Sequence, residues 1–198
     1  MEIIKLGGSL LPNADHIFQI LDTSNSVIIP GGGCFADNIR DFSQQYIVSN
    51  KALHKMAIYS MHQYGIYLSS ISNVACIEDL SKKSGIFLPY NILKKHDPFP
   101  YSWDVTSDSI AVFIAYLFDV KIVKLIKMDA SLIVNKKQIR EISSYELKNI
   151  EQNIVDKYLI TCMDKYKIDC EVYDASSLRD FKKNYISKKY SLKIRCLK

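Results

Sequence analysis

Glycine is scarce in this chain, with seven in 198 residues, and histidine is scarcer still at four. His16, His54, His62 and His96 include no pair spaced i,i+4, which excludes a two-histidine metal site on one helical face. The five cysteines, Cys34, Cys76, Cys162, Cys170 and Cys196, include no C-x-x-C, which argues against both a zinc site and a disulfide framework. No segment approaches the roughly 20 consecutive apolar residues that span a bilayer. The apolar run at the start is interrupted by Lys5 and two glycines, unlike a signal peptide. A cytoplasmic protein without a membrane partner is expected. Internal repeats and low-complexity linkers are also lacking, so residues 1–198 are read as one domain, with 48% hydrophobic residues to build its core.

Acidic residues are missing from one stretch. Residues 181–198 hold Lys182, Lys183, Lys188, Lys189, Lys193, Arg195 and Lys198 with no acid, so the net charge of +5 resides in this tail. Such a segment can bind polyanions. However, Leu192, Ile194 and Cys196 alternate with Ser191, Lys193 and Arg195, the pattern of a half-buried strand whose lysines protect a sheet edge. An edge strand is the preferred reading, and a nucleic-acid partner is not expected.

What the chain does have is clustering of its few glycines. Five fall in Gly7-Gly8 and Gly31-Gly32-Gly33, each after a short β-branched run. Glu2–Leu6 and Ser26–Pro30 read as strands, and each glycine cluster marks a turn where consecutive N–H groups can face an anion. Asn13 is placed to cap a helix through Ile17, Phe18, Ile20 and Leu21. Phe35, Ile39 and Phe42 share one helical face, and Leu53, Met56, Ala57, Ser60 and Met61 continue in a long helix toward Gly65. Two βα units in succession predict a mainly parallel sheet covered by helices.

Further along, Pro89 to Trp103 reads as a loop that can fold over a site. Thr106-Ser107-Asp108-Ser109 leads into a helical run from Ile110 to Phe118, and Lys121–Ile126 reads as a strand. Leu132–Val134 and Gln138–Ile142 suggest a hairpin around Asn135-Lys136-Lys137. Ser144 is placed to cap a short helix, and Val155, Leu159 and Cys162 mark another. Cys170–Tyr173, a helix near 176–185 and the basic strand complete the chain.

Lys-Leu-Gly-Gly-Ser at 5–9 lacks the GxxxxGK[ST] order of a Walker loop, because its lysine precedes the glycines. A lysine on the last residues of a strand, beside free N–H groups, can pair with the β/γ-phosphates of a nucleotide. Together with Ile-Pro-Gly-Gly-Gly-Cys-Phe-Ala-Asp-Asn-Ile-Arg at 29–40 and Trp-Asp-Val-Thr-Ser-Asp-Ser-Ile-Ala at 103–111, this order resembles the amino acid kinase superfamily. Within it, Gly-Gly-Gly-Cys-Phe-Ala-Asp, Ala-Leu-His-Lys-Met-Ala at 52–57 and Met-His-Gln-Tyr-Gly at 61–65 look like an archaeal branch. That branch is represented by the (aminomethylfuranyl)methyl phosphate kinases of methanofuran biosynthesis.

The resemblance implies an α/β fold, a three-layer αβα sandwich around a mainly parallel sheet. Mg2+, ATP and a small-molecule phosphate acceptor would lie across the carboxyl edges of the strands. It implies in-line phosphoryl transfer to a phosphomonoester, giving a diphosphate, and assembly as a homo-oligomer. Lys5 and Asp108 would be catalytic, with Asp108 orienting Lys5. Lys5, Gly7, Gly8, Ser9, Lys127 and Asp129 would bind ATP. Gly31, Gly32, Gly33, Asp37, Arg40, Trp103, Asp104 and Ser107 would face the acceptor. For Lys127 the competing reading is a solvated surface lysine, and for Trp103 a core anchor of its loop. His54 is read as a packed or hydrogen-bonded helix residue.

Two departures stand out. Ala130 replaces the glycine of the family's Asp-Gly turn, and Ser-Lys-Lys-Tyr-Ser-Leu-Lys-Ile at 187–194 lacks the family's glycines. Isopentenyl phosphate kinases carry a histidine soon after the glycine triplet, where this chain has Cys34, Phe35, Ala36 and Asp37. The alternatives are a uridylate or other small-molecule kinase, or a homologue that binds nucleotide without turnover.

Overall fold

The β-branched run Glu2–Leu6 forms strand β1, and a 3-10 turn over Gly8–Asn13 leads into helix α1, Ala14–Phe18. The computed structural model describes residues 1–197. Strand β2 (Ser26–Pro30) is followed by α2 (Gly33–Gln45), α3 (Asn50–Ser72), β3 (Cys76–Ile77), β4 (Gly85–Phe87) and α4 (Tyr90–Lys95). Then come α5 (Ser107–Leu117), β5 (Ile122–Lys127), β6 (Leu132–Val134), β7 (Lys137–Ile139), β8 (Glu141–Ser143) and α6 (Ser144–Lys148). Helix α7 (Leu159–Tyr166), β9 (Asp169–Asp174), α8 (Leu178–Ile186) and β10 (Leu192–Arg195) follow.

Eight strands make one sheet in the order β3-β4-β2-β1-β5-β9-β10-β8, in which only the β9/β10 pair is antiparallel. Alternation along the buried strands divides the core in two. Ile3, Val27, Ile29, Val123 and Leu125 face the side covered by α5 and α7, where Ile110–Ala115, Leu159 and Met163 are buried. Ile4, Leu6, Ile28 and Ile126 face the side covered by α1, α3 and α8 through Ile17, Tyr64, Leu68 and Phe181. The chain runs from β1 outward through β2, then returns to β5 on the other side of β1. Such a switch point leaves a crevice outside the strands' carboxyl ends.

Several element boundaries differ from the sequence reading. Pro12 lies inside the 3-10 turn, the α-helix stops at Phe18 instead of Leu21, and the Asn13 side chain makes no capping bond. Helix α3 runs through Gly65 to Ser72, where Asn73 closes it in a left-handed conformation. A Cβ at Gly65 would lie 2.5 Å from Leu88 Cδ2, so this glycine permits close helix–sheet packing and does not end the helix. The expected loop from Pro89 includes α4. The hairpin pairs β6 with β7 only, while Glu141–Ser143 joins the main sheet beside β10. Ser143, not Ser144, caps α6 in a capping box with Glu146, and Val155 precedes α7.

The basic strand is not at the edge. It is enclosed by β9 and β8, with Leu192 and Ile194 buried, and Cys196 falls beyond its end. Lys193 pairs with Glu171 at 3.0 Å and Arg195 pairs with Glu141, so these two charges link strands instead of forming a free cationic face. Lys198 lies outside the described residues. No described helix is long and apolar enough to cross a membrane.

Candidate active site

Both glycine turns begin by extending the sheet. The Gly7 N–H donates to Ile126 O and the Gly31 N–H to Leu6 O, each at 2.9 Å. Beyond those bonds the two turns meet. A Cβ on Gly8 would overlap the backbone N and Cα of Gly33, and one on Gly31 would lie 2.6 Å from Gly8 N. Gly33 takes φ +54°, which a side chain would resist. Gly8 and Gly33 start the 3-10 turn and α2, so both first turns leave N–H groups without intrahelical partners at one place. The two clusters form a single cradle.

A buried ionic cluster involves the same strand ends. Asp108, the second residue of α5, is 1% exposed and lies 2.8 Å from Lys5 Nζ through Oδ1 and 2.6 Å from Lys127 Nζ through Oδ2. Lys127 donates a hydrogen bond to Oδ2, and Lys5 pairs with Oδ1. Burial alone would raise the Asp108 carboxyl, but the two ammonium groups outweigh it and hold it well below the usual carboxylate range. For Lys5, 4% exposed, burial pushes the ammonium below its ordinary value against the attraction of Asp108. Two lysines share one carboxylate here.

A cavity of about 510 Å³ opens beside the cradle. Gly8, Ser9, Gly32, Gly33 and Ser107 line one part of it. Ala57, Ile58, Met61, Val105 and Ile110 give it an apolar wall, and Asp37, Arg40, His54 and Trp103 ring the remainder. No group of three or more His, Cys, Asp or Glu among the described residues could hold a metal ion.

No family model matches the chain. It is 30% identical over 190 residues, 87% of each chain, to the [5-(aminomethyl)furan-3-yl]methyl phosphate kinase of Methanocaldococcus jannaschii. The chain belongs to the amino acid kinase superfamily, and it is a kinase. Solved structures agree on the fold. The UMP kinase of Ureaplasma parvum matches with a TM-score of 0.73 at 12% identity, covering 98% of both chains. The uridylate kinase of Archaeoglobus fulgidus gives 0.69 at 14%, covering 98% of this chain and all of its own. The aspartate kinase of Synechocystis gives 0.73 at 12%, with this chain spanning 39% of it.

The kinase does not bring every expected residue to the cavity. Gly7 and Gly31 support the cradle from beneath, since their N–H groups are committed to the sheet. Lys127 is not a solvated lysine; it shares Asp108 with Lys5, and none of the three lines the cavity. Asp104 is directed elsewhere. Its carbonyl accepts the Tyr158 N–H and its carboxylate lies 3.7 Å from Lys157, so the turn at Ser102 carries it toward α7. The carboxylate on the cavity wall is Asp37, which accepts from Arg40 Nη1 at 2.6 Å.

Trp103 is 36% exposed, not a core anchor, and Arg40 Cζ sits 4.6 Å from its ring centroid. This stacking links α2 to the 96–106 segment across the cavity. His54 is buried, with Nε2 3.0 Å from Asp97 Oδ2, and it also lines the cavity. Asp129 adopts φ +49°, and its N–H donates to Ser176 Oγ, while the Ala130 N–H donates to Asp174 Oδ2. The left-handed residue of this turn is Asp129 itself, so Ala130 occupies a position that requires no glycine. These groups border a separate polar cleft lined in part by Ser131, Asp174 and Ser176.

Asp156 escaped the sequence reading. Its Oδ2 accepts from Thr106 N (2.9 Å), Thr106 Oγ1 (2.9 Å) and Ser109 N (3.0 Å), and its Oδ1 from Ser109 Oγ (2.5 Å). An isolated aspartate some fifty residues from its partners leaves no local signal.

Proposed function

We propose that this kinase transfers the γ-phosphoryl group of ATP, brought in with Mg2+, to a small phosphomonoester carrying a flat ring and an amine. [5-(aminomethyl)furan-3-yl]methyl phosphate, giving its diphosphate, fits this class. The carrying observation is the cavity in which a backbone N–H cradle, an arginine stacked on an indole and an apolar wall meet. The N–H groups of the cradle suit phosphate oxygens, Arg40 suits the acceptor's phosphate, and Trp103 suits a ring. Asp37 supplies a carboxylate for the amine.

Phosphoryl transfer needs alignment and charge neutralisation more than covalent chemistry. Lys5 and Lys127 are assigned to neutralising charge on the migrating group from beside the cradle, since neither lines the cavity, and Asp108 fixes both ammonium groups. An acceptor phosphate already ionised at neutral pH needs no general base, since its second pKa is about 6. His54, bound to Asp97, is then free to serve the wall. Mg2+ commonly binds through substrate phosphates and few protein groups, and the side chains here offer it no cluster of their own. The Asp129–Ser176 turn and its polar cleft are assigned to the nucleotide.

A homo-oligomer is also proposed. Tyr59, Ile66 and Tyr67 leave an exposed apolar strip on α3, which a second copy would cover; light scattering would measure it.

The decisive experiment incubates the protein with Mg2+ and ATP and, separately, the furan phosphate, UMP or an isoprenoid phosphate, following ADP and product by phosphorus NMR. Diphosphate formed fastest on the furan acceptor supports the proposal. Preference for UMP assigns the chain to uridylate chemistry. ATP binding without turnover identifies a non-catalytic homologue.

A further inference from the structure

Helix α5 has an unusual start. Thr106 stands at its N-cap, yet its side chain caps nothing; a cap normally supplies an acceptor to the first-turn N–H groups. The acceptor comes instead from Asp156, on the loop before α7, which takes the Thr106 and Ser109 N–H groups on a single oxygen and both hydroxyls besides. The same loop is stiffened locally, because Gln152 Oε1 accepts from the N–H groups of both Ile154 and Val155. It is tied down again where the Tyr158 N–H meets Asp104 O. The Asp156 N–H then reaches Asp108 Oδ2 at 3.3 Å, the oxygen that holds Lys127. One residue therefore grips the helix turn on both sides of Asp108 and contacts Asp108 directly.

We propose that Asp156 is a positioning residue for phosphoryl transfer: by capping α5 from a distant loop it sets Asp108, and through it Lys5 and Lys127, in register with the cradle. This rests on the reading of Lys5 and Asp108 as the catalytic clamp. A carboxylate with four donors holds a helix terminus more rigidly than a local serine cap, since charge-assisted bonds are the stronger kind. The Asp156 charge also acts at range. The Lys5 ammonium faces Asp108 from α5, Lys127 from β5 and Asp156 from this loop, and the Asp156 charge favours keeping it protonated.

The test replaces Asp156 with Asn, which keeps the shape and removes the charge. The variant is expected to lose roughly tenfold to hundredfold in kcat, by analogy with residues that orient metal ligands from the outer shell. KM for ATP should change little, and the alkaline limb of the pH–rate profile should move to lower pH. A purely structural cap would lower the melting temperature without moving that limb. Native kcat in folded Asp156→Asn, or an alkaline limb left in place, overturns the proposal. Should Asp156→Asn not fold, Ser109→Ala and Thr106→Val each remove one hydroxyl donor and keep the charge; reduced kcat in both supports the positioning role, and native kcat in both overturns it. Asp108→Asn run in parallel separates the two readings. If it retains turnover, the clamp itself is wrong; if it loses turnover while Asp156→Asn does not, only the role of Asp156 fails.

Discussion

Replacing Asp108 with Asn leaves two lysines buried around a neutral amide. Each ammonium lies within 2.8 Å of the carboxylate, so each attraction is worth about 6 kcal/mol at an effective dielectric of roughly 20. Most of that offsets the desolvation of the three charges, and breaking such a buried pair typically costs about 3–5 kcal/mol. Against a total stability of about 5–15 kcal/mol, the variant should still fold. In a chain of this length its melting temperature should fall by about 6–20 °C. The loss depends on pH in a definite direction. Asp108 titrates below its usual value of 3.8, so its stabilisation is fully present above that pH and is lost as pH falls through its depressed folded value. The gap between native protein and variant should therefore stay constant from neutral pH to about pH 4 and narrow only below it. Turnover should fall on the order of a hundredfold to a thousandfold, the scale of deleting a charge-stabilising group. Melting curves across pH and steady-state ADP release provide both readouts. A folded variant with native turnover would refute the clamp, and a stability gap that closes already at pH 6 would refute the electrostatic account.

Gly8→Ala puts a methyl group into the Gly33 backbone, so it should destabilise by about 1–3 kcal/mol and abolish phosphate binding at the cradle; calorimetric titration with ATP measures the second effect. Arg40→Ala removes the cavity's guanidinium, a contact worth about 1.5–3 kcal/mol, so KM for the phosphorylated acceptor should rise roughly tenfold to hundredfold while KM for ATP holds. Equal effects on both substrates would place Arg40 away from the acceptor. Trp103→Ala should weaken ring-bearing acceptors by about two- to tenfold, from a stacking energy near 0.5–1.5 kcal/mol, and Trp103→Phe should recover most of it. Native turnover should decline on the alkaline side below the usual lysine value of 10.5, because burial lowers the Lys5 ammonium.

What could be read from the sequence followed how local the causes were. β-Branched runs ending in glycine gave β1 and β2 to the residue, because both the strand signal and its stop lie within one short stretch. The three-residue β4 and two-residue β3 carry too little periodicity to detect, although they complete one edge of the sheet. The lysine-rich C-terminal strand revealed its alternation but not its neighbour, since pairing with β8 depends on residues about fifty positions earlier. The site divides in the same way. Lys5, the glycines and Asp108 are marked by their motifs, and the family order joins them.

Contacts between segments carried no such mark. The overlap of Gly8 with Gly33, the stacking of Arg40 on Trp103 and the grip of Asp156 on α5 are all set by the fold. Assigning one glycine turn to the donor and the other to the acceptor was natural for separate motifs. The two turns touch, so the groups assigned to donor and to acceptor lie side by side. In the proposed reaction, a single cradle where two helical first turns converge would hold the phosphoryl group between donor and acceptor, where an in-line transfer develops its charge.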